Sequence, residues 1–171
     1  MKILTQFLTL HSTEEIIQYS KINDCQTVNK NSSYSYKKVN FIVFPNWQAK
    51  EELLYQDLMI LLKNFVTIPV KETVKLFIVY SDINEEDANL IISDVVFTLM
   101  QQEDIEDAET ADIEFIGNLN EQEWQSIISN MSAKLSLKLE DKNLIKQVQA
   151  NQLKTLQIAD INNIINCCDA V

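Results

Sequence analysis

Apolar residues change their spacing along the chain in a regular way. Val39 to Phe44, VNFIVF, is a continuous β-branched and aromatic run that predicts a buried strand, ended by Pro45. From about Lys50 to Phe65 the residues Leu54, Leu58, Leu61, Leu62 and Phe65 recur at helical spacing, and Pro69 bars further helix. Val74 to Tyr80, VKLFIVY, predicts a second strand. A turn over 81–84 follows, where Asp82 or Asn84 can cap a helix whose first turn holds Glu85, Glu86 and Asp87, carboxylates that suit the positive end of the dipole. That helix runs to about Gln101, and its apolar set of Ala88, Ile91, Ile92, Val95, Phe97, Leu99 and Met100 covers more than one face, which predicts a largely buried helix.

The second half repeats the alternation. Ile113 to Ile116 predicts a third strand, closed by Gly117 and Asn118. Asn120 and Glu123 have the spacing of a capping box, ahead of a helix with Trp124, Ile127, Ile128 and Met131 on one stripe. Ala133 to Leu139, AKLSLKL, alternates like a fourth strand with one wet face, and Asp141 opens a helix carrying Leu144, Ile145 and Val148. The last twenty residues, with Ile158, Ile161, Ile164 and Ile165, add one more short strand or helix. Such βα alternation implies right-handed crossovers and a sheet covered on both faces. The expected fold is therefore α/β, a Rossmann-like three-layer sandwich with a mostly parallel sheet of about four or five strands.

Residues 23–38, NDCQTVNKNSSYSYKK, have loop composition, which divides the chain into an N-terminal extension and linker, 1–38, and a single Rossmann-like domain, 39–171. The opening MKILTQFLTLHSTEE superficially resembles a secretion signal but lacks a small-residue cleavage site, and Thr5, Gln6 and Thr9 interrupt it. Ile3, Leu4, Phe7, Leu8 and Leu10, followed by Ile16 and Ile17, fit an amphipathic helix or an edge strand better. No apolar run approaches the ~18 residues of a membrane span. Three cysteines without framework spacing suggest a reducing compartment, so the expected location is cytoplasmic.

Composition narrows the chemistry. The 171 residues hold one glycine, two prolines, one histidine and no arginine. Phosphate cradles need several glycines so that backbone N–H groups can approach the anion, and Gly117 stands alone. Without arginine there are no bidentate forks for phosphate or carboxylate. His11, Cys25 and the adjacent pair Cys167 and Cys168 make a poor zinc set, and His11 is the one imidazole for any Ser/His or Cys/His pair, with a surface histidine as its ordinary reading. No catalytic residue, metal ligand or cofactor-binding residue is assigned, and no cofactor is expected.

The net charge of −11 is unevenly placed. Between Lys75 and Lys134 there is no basic residue, against fourteen acids, so nucleic acid is a poor partner for want of counterions to release. The densest part, EDIEDAETAD, holds Glu103, Asp104, Glu106, Asp107, Glu109 and Asp112. As a calcium loop it lacks the DxDxDG order, and as paired catalytic carboxylates it lacks apolar surroundings to raise one pKa. A solvated helix end, or an interaction surface facing a basic partner, fits better.

In open α/β sheets ligands bind beyond the carboxyl ends of the strands, which singles out a strand-end cleft at Trp47, Asp82, Asn84 and Asn118. Prolines and caps at such places also have an ordinary structural job, and Trp47 and Trp124 are as well suited to packing a helix on the sheet as to stacking on a ligand.

The segments FIVFPNWQAKEELLYQDL, SDINEEDANLIISDVVFTLMQQEDIEDAE and IEFIGNLNEQEW, over residues 39–150, resemble an accessory domain of cyanobacterial proteins. There it accompanies glycosyltransferase, tetratricopeptide and sugar-type methyltransferase domains. The FPxW turn, the EDANLI helix start, the MQQED helix end and the GNLNEQEW turn carry the resemblance, which brings no catalytic assignment. It implies a Rossmann-like accessory unit near glycan or surface-polysaccharide enzymes, although no transferase domain accompanies it within these residues. The expected function is thus a non-catalytic accessory or protein-interaction domain, with a small or partial nucleotide-sugar glycosyltransferase-like domain as the alternative. A protein partner is expected, nucleic acid and membrane are not, and pairing of two copies through an edge strand or the N-terminal apolar residues stays open.

Overall fold

The computed structural model describes residues 34–66, 73–102, 112–117 and 119–161. Within them the elements run β1 (Val39–Val43), α1 (Glu51–Val66), β2 (Val74–Val79), α2 (Glu85–Gln102), β3 (Asp112–Ile116), α3 (Glu121–Ser129), β4 (Ala133–Ser136), α4 (Lys142–Gln147) and β5 (Thr155–Gln157), with short 3-10 turns on either side of β5. The five strands form one sheet in the order β3-β2-β1-β4-β5, and every pair is parallel. The fold is the Rossmann-like three-layer α/β sandwich that the alternation of periods predicts.

Side chains on alternate strand positions feed two cores. On one face Phe41, Val43, Leu76, Ile78 and Leu135 meet α1 and α2 through Leu58, Leu62, Phe65, Ile92 and Val95. On the other, Ile42, Phe44, Phe77 and Val79 meet α3 and α4 through Trp124, Ile127 and Ile145. Part of that second face is covered by chain ahead of β1: the rings of Tyr34 and Tyr36 lie 6.4 and 5.7 Å from that of Phe77.

Two expectations need correction. Helix α2 is not largely buried: Ala88, Ile92, Val95 and Leu99 form a single inward stripe, while Leu90 and Phe97 are 69% and 59% exposed. It lies in the outer layer over β2 and β3 with α1 as its helical neighbour, so only one side has a core to face. Strand β4 is shorter than the alternation over 133–139 suggests, and the residue expected on its wet face, Lys134, is 5% exposed. The chain leaves the sheet after Ser136 to meet the exit from β1, and this turn brings Glu140 onto the Lys134 ammonium at 2.6 Å.

Candidate functional site

The strand order reverses at β1, because the chain moves outward through β2 and β3 and then crosses to β4 on the other side. Helix α1 leaves toward one face and α4 toward the other. The carboxyl ends of β1 and β4 therefore flank the switch point, where folds of this kind open a ligand crevice.

Here the two exits are tied together by main chain. Asn46 N–H donates to Leu139 C=O at 2.9 Å, Asp141 N–H donates to Phe44 C=O at 2.9 Å, and Pro45 and Glu140 form an antiparallel bridge between them. Asp57, a buried carboxylate on α1, accepts from Leu139 N–H at 2.8 Å. Glu140 Oε1 takes the Lys134 ammonium and the Leu137 N–H. Backbone groups that elsewhere in such folds would face a ligand are satisfied by one another.

The helix starts along the same edge are also occupied. Glu51 and Glu52 stand in the first turn of α1, Glu85, Glu86 and Asp87 in that of α2, and Glu121 and Glu123 in that of α3. Carboxylates there stabilise the helix and repel an incoming phosphate, which removes the usual anion site. Asn84 Oδ1 accepts from Asp87 N–H at 2.8 Å, so of the two capping candidates Asn84 is the one used. The predicted capping box of α3 is present, with Glu123 N–H to Asn120 Oδ1 at 3.0 Å and Asn120 N–H to Glu123 Oε2 at 2.8 Å.

Of the strand-end residues, Trp47 is buried and its indole N–H donates to Val79 C=O at 2.8 Å, closing the end of β2. Gln48 reaches across from the same turn to Asp82 C=O, while the Asp82 and Asn84 residues are exposed. Asn118 lies outside the described residues, as do Glu103, Asp104, Glu106, Asp107 and Glu109 of the acidic surface and the candidates His11, Cys25, Cys167 and Cys168. Asp112 opens β3, where it faces Lys37 at 3.3 Å and Lys75 at 3.7 Å.

Lys75 is the feature that sequence reasoning missed. It interrupts VKLFIVY, is 3% exposed, and is enclosed by Glu114, Asp112 and the Ser35 hydroxyl, with its ammonium 5.4 Å from the Phe77 ring centre. Its signal was a single lysine inside an otherwise apolar strand; Lys134, by contrast, lies in an alternating run with Ser136 and Lys138, which reads as an ordinary solvent face. The carboxylate partners of Lys75 come from a different strand, so spacing along the chain does not reveal them.

Two tyrosines hold their protons above the ordinary range. Tyr34 is raised by burial and then by the charges of Glu114 and Glu123. Tyr80 is raised by burial and by its hydrogen bond to Glu85 Oε2 at 3.0 Å. Among the described residues no group of three His, Cys, Asp or Glu side chains is placed to hold a metal ion, and no helix is long and apolar enough to cross a membrane.

No protein-family model, curated protein or solved structure matches the chain.

Proposed function

We propose that this chain is a non-catalytic accessory domain that works by binding another protein and, following the resemblance of residues 39–150, that its partners belong with glycan or surface-polysaccharide enzymes. The observation that carries this reading is the closed switch point. A Rossmann-like sheet that binds a nucleotide leaves the loops after the reversing strands apart, whereas here Asn46, Leu139, Phe44 and Asp141 join them. The alternative, a small or partial nucleotide-sugar transferase, asks for donors aimed at a diphosphate. The starts of α1, α2 and α3 present carboxylates in their first turns instead, and the start of α4 is capped by Asp141.

The test sets the two readings against each other. Affinity capture from the native cell extract at low and high salt is expected to retain a protein in a salt-sensitive way, and to retain less when Glu103, Asp104, Glu106 and Asp107 are neutralised. In parallel, UDP-glucose with or without magnesium is expected to leave the melting temperature unmoved. A clear upward shift would overturn the non-catalytic reading in favour of the transferase.

A further inference from the structure

Strand β3 ends the sheet, with β2 on one side and no strand beyond it among the described residues. The N–H and C=O groups on its outer side face away from the sheet, the arrangement that a sixth strand would complete. Beside it runs a groove of about 720 Å³, floored by Ile113 and Phe115, with Asp112 at its end, and walled by α2 through Val96, Phe97 and Met100 together with the polar Asn89 and Ser93. Phe97 is 59% exposed in this wall. At the alternate positions of the same strand stand Glu114 and Asp112, the latter also bordering the groove, and their side chains keep 27% and 38% of their surface while pairing with Lys75 and Lys37. The strand thus offers an apolar face and an acidic face at alternate positions.

Charge decides what can lie against it. From residue 76 to residue 133 the chain has fourteen carboxylates and no lysine. A second copy paired through β3 would set the Asp112 and Glu114 of one strand against those of the other, and like charges on paired strands destabilise the pair. The other edge, β5, is only three residues long and follows Lys154, so it offers a shorter and differently charged template.

We infer that the β3 edge takes up an extended segment of a protein partner as a sixth strand. The segment alternates apolar residues, which enter the groove beside Phe97, with lysine or arginine, which face Asp112 and Glu114. This rests on the protein-binding reading above and names the place and chemistry of the contact.

The test pans a random twelve-residue peptide display library on the full chain and maps the most enriched peptide by amide shifts. Enriched sequences are expected to alternate apolar and basic residues, to shift Ile113–Ile116 and Val96–Met100, and to bind at least ten-fold more weakly to the Phe97→Asp variant. That residue is exposed, so an unchanged melting temperature will certify the variant as folded. Binding is also expected to weaken as salt rises. Enrichment of peptides without basic residues, shifts confined to other surfaces, undiminished binding to Phe97→Asp, or no enrichment at all would each overturn the β3 assignment. The protein-binding reading would then still be decided separately, by the capture and nucleotide-sugar experiments.

Discussion

Two of the places where a parallel α/β fold can offer backbone to a ligand, the β1–β4 junction and the β3 edge, are built in opposite ways. At the junction of β1 and β4, N–H and C=O groups bond to each other across the two exits, and the nearby charges are buried and paired, Lys134 with Glu140. At β3 the strand has one neighbour among the described residues, the helix beside it leaves Phe97 in solvent, and the Asp112 and Glu114 side chains keep 38% and 27% of their surface. The first arrangement is what a stable scaffold needs, because unpaired buried backbone would cost stability. The second leaves, at the rim, strand backbone that no other described strand pairs with.

The largest expected effect breaks the closed side. Lys134 is 5% exposed in the parent chain; in Glu140→Ala its ammonium loses its carboxylate and Leu137 N–H loses its acceptor. Removing one member of a buried pair costs about 3–5 kcal/mol, whereas replacing both with apolar residues of similar volume is often near neutral. Denaturant unfolding of Glu140→Ala and of the Lys134→Met/Glu140→Met double variant is expected to show a large loss in the first and a small one in the second. Equal losses would mean that the pair does not hold the junction.

The next effect asks how far tight packing extends toward β3. A Cβ on Gly117 would lie 2.6 Å from the Tyr80 carbonyl oxygen and against the Tyr80 ring, so room, and not a left-handed backbone, requires glycine here. Gly117→Ala is expected to cost about 1–3 kcal/mol by overpacking. Trimming the ring in Tyr80→Ala should restore only part of it, since the carbonyl stays. Full recovery in the double variant would place the whole conflict in the ring.

Most of the fold was legible because its signals are local. The run VNFIVF, the helical spacing of Leu54 to Phe65, and the Asn120 and Glu123 capping pair each depend on neighbours a few residues away. The parallel sheet followed from the alternation of these elements. The closed junction was not legible, since Asn46 and Leu139 are far apart in sequence and bond through main chain, which leaves no residue signature. The β3 edge was half legible: the charge asymmetry of residues 76–133 is plain, but Phe97 counted as buried when helical spacing alone was used. Position in the outer layer, a tertiary property, decides its exposure.

A smaller effect appears only in alkali. Tyr80 holds its proton above the usual 10.0, by burial and by the bond to Glu85, while the same residue in the unfolded chain does not. Folded protein thus binds more protons than unfolded protein once the pH passes about 10. The contribution is full below that value and is lost as the pH rises through the raised pKa. Tyr80→Phe should cost at most about 1 kcal/mol at neutral pH, through the lost hydrogen bond, and should flatten the alkaline fall in melting temperature. An unchanged slope would show that Tyr34, raised by burial and by Glu114 and Glu123, carries it instead.

The smallest expected stability change is also the one that best separates the two regions. Phe97 lies on the outer layer at 59% exposure, outside the inward stripe of Ala88, Ile92, Val95 and Leu99. Its replacement by aspartate therefore removes little packing, and the change in unfolding free energy should stay within about 0.5 kcal/mol, the usual range for a surface site. An exposed aromatic ring beside the terminal strand contributes little to the scaffold, which is why the binding and stability of this variant should part company. If Phe97→Asp instead melts well below the parent chain, Phe97 belongs to the core that α2 shares with the sheet, and β3 loses its distinction from the closed junction.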